Sequence, residues 1–199
     1  MTNPLDRALT ADRLTVRAKV LSFIGRKFHV YDESGNLLLF CKLKAFKLKE
    51  DIVLFASEAQ EQPLLQIKAT QILDFTGGYT VVDPVSGDTI GTLRRKGMSS
   101  MVRDSWEMLD ANGRLVARIA EDSTIKALVR RFVEVAAFLM PQAFHGEVDG
   151  RRVFEMKQNF NPIVQKLNCD FSMDSQRTID RRLGVAAAVL LIAIEGRQN

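Results

Sequence analysis

Leu183-Gly184-Val185-Ala186-Ala187-Ala188-Val189-Leu190-Leu191-Ile192-Ala193-Ile194 runs without one polar side chain, between Asp180-Arg181-Arg182 and Glu195-Gly196-Arg197. The run predicts a helix from about Asp180 to Arg197. A helix on the surface of a soluble domain keeps a polar face, so one that is apolar all round must be buried all round. As a helix the run is roughly 18 Å long, against the ~30 Å of a bilayer's hydrocarbon core, and is too short to span alone. Its alanines let surrounding backbone approach the helix axis while the larger side chains fill the remaining space. The rest of the chain must supply a wall around it.

That wall reads as β. An apolar or aromatic residue, an Asp, a short turn with Gly and then an apolar run recur as Val30-Tyr31-Asp32 with Gly35, Val81-Val82-Asp83 with Gly87, and Met108-Leu109-Asp110 with Gly113. A tighter copy is Val148-Asp149-Gly150. Asp hydrogen-bonds its own turn and Gly supplies positive φ, so each copy predicts a β-hairpin. Further strands are expected at Ile52 to Ala56, Leu64 to Lys68 and Ile72 to Phe75. In Lys42-Leu43-Lys44-Ala45-Phe46-Lys47-Leu48-Lys49 the lysines change phase near Ala45, which marks a bulge or strand end. Ile125, Leu128, Val129, Phe132, Val135, Ala136 and Leu139 step as an amphipathic helix from Thr124 to Leu139, with Ser123 as N-cap and Pro141 beyond its end. The fold expected is mostly β: a closed antiparallel barrel around the C-terminal helix.

At 199 residues the chain has the size of one domain, read here as residues 1–199 with 1–15 expected to be flexible. Lys and Arg number 28 against 24 Asp and Glu, a surplus too small and too dispersed for dedicated nucleic-acid binding. Cys41 and Cys169 sit among apolar residues and form no metal-type pair, which suits a reducing compartment. Met1 to Thr10 lacks the basic and apolar regions of a signal peptide, and a cytoplasmic protein is expected.

Residues 181–190 and 194–197, Gly78-Tyr79-Thr80-Val81-Val82-Asp83, Gly91-Thr92-Leu93-Arg94-Arg95-Lys96 and Asp104-Ser105-Trp106-Glu107-Met108-Leu109-Asp110 resemble the LURP-one-related family. The resemblance runs from about Phe23 to Arg197. That family is grouped with the tubby C-terminal and phospholipid scramblase domains. It implies a twelve-stranded barrel enclosing a hydrophobic helix, while tubby domains bind phosphoinositide headgroups through basic residues and scramblases are implicated in moving lipids. The chain departs from the scramblase pattern: it has no cysteine-rich lipidation run, and only Asp170, Asp174 and Asp180 precede the last helix.

Arg94-Arg95-Lys96 at a strand end is the candidate anion or headgroup site. Lys42, Lys44, Lys47 and Lys49 form a second basic stretch that edge-strand protection explains equally well. Arg130-Arg131 belong to the amphipathic helix. Arg181-Arg182 oppose the dipole of the buried helix, so an acidic partner such as Asp180 or a bound anion is expected there. His29 and His145 lie in no metal-ligand spacing, and phosphate-loop signatures are absent, so no metal, cofactor or catalytic residue is expected. The chain is expected to be a non-enzymatic module for anionic lipid headgroups or a protein partner, with peripheral membrane contact at most and no nucleic acid. Scramblase-like transport and a small-molecule or hydrolytic enzyme, the latter built on a polar pocket holding either histidine beside a carboxylate or thiol, are the alternatives.

Overall fold

The computed structural model describes residues 4–19, 26–43, 51–70, 78–96, 105–122, 142–159 and 164–195. The expected helix 124–139, the strand 72–75, Lys44, Lys47, Lys49 and Arg130-Arg131 lie outside these residues. Within the stretch expected to be flexible, Pro4–Thr10 forms a short helix, α1, and Arg13–Lys19 the first strand, β1.

The strands that follow are β2 (Arg26–Asp32), β3 (Leu37–Leu43), β4 (Ile52–Phe55), β5 (Pro63–Thr70), β6 (Gly78–Val82) and β7 (Thr89–Lys96). They continue as β8 (Ser105–Asp110), β9 (Leu115–Glu121), β10 (Ala143–Val148), β11 (Arg151–Gln158) and β12 (Val164–Asp170), and the chain ends in α2 (Arg181–Glu195). Each strand pairs antiparallel with its neighbours in sequence. β1 pairs with both β2 and β12, so the twelve close into a barrel. Closure removes the free edges that open sheets must protect.

The recurring motif builds three turns of one kind, the one at Asp83 a residue longer than those at Asp32 and Asp110. Gly35, Gly87 and Gly113 donate their amides to the carbonyls of Asp32, Asp83 and Asp110, while those aspartates' Oδ1 atoms accept the amides of Asn36, Val85 and Asn112. In the tighter copy Asp149 and Gly150 both take positive φ, 49° and 75°, the two-residue turn whose twist matches the flanking strands.

α2 fills the barrel. Residues 183–194 are all buried, against inward-facing Leu14, Val16, Phe28, Val30, Leu93 and Met108. Leu93, Trp106 and Ile119 meet Ala187, Leu190 and Leu191 across an enclosed apolar gap too narrow for water. A helix side chain and the wall backbone approach closely at Gly91, where a Cβ would lie 2.3 Å from the Leu109 carbonyl oxygen of β8 and 2.9 Å from the Leu183 side chain of α2. Bulk at that position has nowhere to go.

The hairpin turns after β2, β4, β6, β8 and β10 lie at one end of the barrel, with α1 and the start of α2. This is the turn end. The opposite end is where β1, β3, β5, β7, β9 and β11 finish.

Candidate functional site

Arg94, Arg95 and Lys96 are the last residues of β7, at the end opposite the turns. Strand alternation divides them: Arg94 and Lys96 share the outer face, and Arg95 falls on the face of Leu93. The outer pair converges on Glu107 of β8, whose side chain is only 6% exposed. Arg94 Nη2 lies 2.6 Å and its Nε 3.1 Å from Glu107 Oε2, and Lys96 Nζ lies 3.2 Å from Oε1. Arg118 of β9 approaches Oε1 to 4.0 Å. Register makes the cluster, because Arg94 stands opposite Glu107 and Glu107 opposite Arg118. Three cations share one carboxylate, which leaves two positive charges over.

Burial raises the Glu107 pKa, but the hydrogen bonds and charges of Arg94 and Lys96 outweigh it and hold the carboxyl below its ordinary range. A depressed acid stabilises the fold above its unfolded-state pKa, and that stability is lost as pH falls through the folded value. Glu107→Gln is therefore expected to cost about 1–2 kcal/mol at pH 7, discounted because its cations are half exposed, and nothing near pH 2. Urea titrations at the two pH values measure it; an equal cost at both removes the ion-pair account.

The cluster belongs to a wider collar. Lys19, Lys27, Lys42, Lys68, Lys96, Lys157 and Lys166 are all the lysines of the described residues, and each lies within three residues of its strand's end away from the turns. Lys27 is tied to Glu58 at 3.2 Å and Lys157 to Glu155 at 2.5 Å, whereas Lys42 and Lys68 are exposed without a carboxylate partner among the described residues. The turn end carries no described lysine and gathers Asp32, Glu33, Asp83, Asp88, Asp110, Asp149, Asp174 and Asp180. Among the described residues the lysines are thus segregated from the turn end, whose cations are arginines, among them Arg7 on Asp32 and Arg182 on Asp180.

The family model for LURP-one-related proteins matches residues 12–192, nine-tenths of the chain. The chain belongs to the LURP-one-related family. No curated protein matches it. An X-ray structure of an Arabidopsis thaliana protein is similar over 94% of each chain, with a TM-score of 0.52 and 13% identity, a likeness of fold alone.

In this LURP-one-related barrel the thiols and histidines are kept apart. Cys41 and Cys169 face the core, where burial pushes the Cys41 thiol up to about 12 and the Cys169 thiol further, so neither is a nucleophile at neutral pH. His29 and His145 lie on the outer face. His29 Nε2 is 2.8 Å from Glu58 and its ring packs on Phe40 and Tyr31; His145 Nε2 is 3.3 Å from Glu147. Opposite sides of the wall separate His29 on β2 from Cys41 on β3, and β11 stands between His145 on β10 and Cys169 on β12. Among the described residues no His, Cys, Asp and Glu side chains converge as a metal site, and no helix is long and apolar enough to cross a membrane.

Sequence reasoning named Arg94, Arg95 and Lys96 but not Glu107 or Arg118. Trp106-Glu107-Met108 places Glu107 on the outer face by alternation, yet only the register of three strands brings it under Arg94. Asp180 takes the expected place beside Arg182, accepting its backbone amide at 2.9 Å and its Nη2 at 2.7 Å. Arg181 has no such hydrogen bond.

Proposed function

We propose that this LURP-one-related barrel is a binding module that docks by its lysine-bearing end on an anionic surface, a membrane carrying phosphoinositide or other acidic headgroups. The confinement of all described lysines to one end carries the reading. α2 fills the interior, so a ligand must meet the rim or outer wall. Each Lys or Arg near such a surface contributes about 1 kcal/mol, within a Debye length of about 8 Å at physiological salt. Several acting together give reversible, salt-sensitive attachment. The acidic turn end is repelled, which sets the barrel upright with its turns away from the surface. Arg94, Lys96 and Arg118, positioned by Glu107, supply the geometry for a phosphate group.

Sedimentation with vesicles containing phosphoinositide or phosphatidylserine, across a salt series, tests this. Binding is expected at low salt, falling steeply with salt. Changing Arg94, Arg95 and Lys96 together to Ala should weaken it about tenfold, equivalent to about 1.4 kcal/mol. Adding Lys42→Ala and Lys68→Ala should abolish it. Failure to bind acidic vesicles at low salt overturns the membrane reading and leaves a protein partner.

A further inference from the structure

The first residue of α2 is a buried cation with unused donors. Arg181's side chain is 4% exposed, and its Nε, Nη1 and Nη2 are each enclosed without a hydrogen-bond partner among the described residues. The guanidinium lies over the Phe171 ring, 4.3 Å from its centroid. Asp12 Oδ1, at 3.5 Å from Nη2, gives it an ion pair without a hydrogen bond. Asp174 attracts it through space, but both Asp174 oxygens are taken, Oδ1 by the Thr178 amide and hydroxyl and Oδ2 by the Ile179 amide. Asp180 is turned to Arg182.

A guanidinium has five N–H donors, and leaving them unmade out of water is strongly unfavourable. The surroundings add positive potential: α2 directs the positive end of its dipole here, and Arg177 repels Arg181 while donating to the carbonyls of Leu9 and Thr10 at the end of α1. Asp12 follows α1 and has a side chain 59% exposed, free to turn to solvent. With Asp12 turned out, Arg177, Arg181 and Asp174 leave one net positive charge.

We infer that the Arg181 guanidinium, beside the end of α1 in the first turn of α2, seats a small oxyanion, a carboxylate or phosphate group, which takes its N–H groups in place of Asp12. A helix N-terminus alone makes no site; here an unpartnered, buried guanidinium stands in its first turn. Enclosure admits only a small group. The carboxylates of the turn end exclude a bilayer bearing the same chemistry, so the ligand is free in solution or the acidic end of a small molecule. Through Arg177 the occupied seat also holds α1 to the barrel.

The test is a titration of the full chain with sodium phosphate and sodium formate at constant ionic strength against chloride, following the Arg181 Nε–H resonance and thermal unfolding. A saturable displacement of that resonance is expected, with slower amide exchange in α1 and a melting temperature raised above the chloride control. Asp12→Asn, which removes the competing carboxylate, should tighten binding several-fold. Arg181→Met should lose the displacement and retain only the general stabilisation that phosphate gives any protein. Should that variant fail to fold, Arg181→Lys keeps the charge without the planar fork and should bind more weakly. An Arg181 resonance unmoved by both anions overturns the assignment, as does a displacement produced by phosphatidate vesicles and by neither free anion. Loss of vesicle binding through the opposite end leaves this outcome untouched.

Discussion

Leu190→Asp is expected to leave the protein without a cooperative fold. Leu190 is 1% exposed, on the face of α2 that meets Leu93, Trp106 and Ile119. Its neighbours there, Leu93, Trp106, Ile119, Ala187 and Leu191, are apolar, so an aspartate is either a poorly solvated buried charge or a protonated acid without hydrogen bonds to them, at several kcal/mol. Truncating a buried leucine adds about 2–5 kcal/mol. Against the roughly 5–15 kcal/mol that stabilise an ordinary domain, the sum is decisive. Leu190→Met keeps the volume and should cost less than about 1.5 kcal/mol. Circular dichroism and thermal melts separate the cases; a Leu190→Asp variant that melts cooperatively near the native temperature would show that α2 is not the core.

That α2 is the core was legible because an apolar helix admits one kind of place in such a chain. The hairpins were legible for a local reason too: Asp32, Asp83 and Asp110 hydrogen-bond within their own turns, so four or five consecutive residues contain the whole cause. The candidate site is different in kind. Glu107 meets Arg94 thirteen residues away and Arg118 eleven residues away, and nothing within the strand Ser105–Asp110 announces either partner. Register is a property of the closed sheet. Arg95 illustrates the complementary lapse: three consecutive basic residues look like one cluster, but a strand sends alternate side chains to opposite faces.

α1 escaped notice because Pro4–Thr10 is too short and polar to show helical periodicity. Contacts distant in sequence hold it: Arg7 reaches Asp32 at 2.9 Å, and Arg177 donates to its last carbonyls, those of Leu9 and Thr10. Arg181 inverts the usual expectation for an arginine. Its place is set by the entry of α2 into the barrel, which carries the first side chain of the helix inside with the rest.

Gly146→Ala is expected to cost about 3 kcal/mol or more, although alanine is ordinarily the better residue within a strand by roughly 0.5–1 kcal/mol. A Cβ at Gly146 would stand 2.0 Å from Cε1 and 2.2 Å from Cζ of Phe154, the residue directly across on β11. The ring has no room to retreat. Phe154 is fully buried against Phe171, 5.3 Å between centroids, and Phe171 is itself confined by Arg181 and by Gly184, where a Cβ would lie 2.7 Å from its ring. Two phenylalanines are thus accommodated by two glycines, one on the wall and one on the central helix. For a chain of this length the melting temperature should fall by about 6–12 °C. Phe154→Leu alone should cost about 1–2 kcal/mol for the space it leaves. Combined with Gly146→Ala it should cost clearly less than the sum of the two, because the smaller side chain removes the clash. Additive losses, or a Gly146→Ala variant as stable as the native protein, would mean that the ring is not fixed there, and with it the packing that holds Arg181 against Phe171.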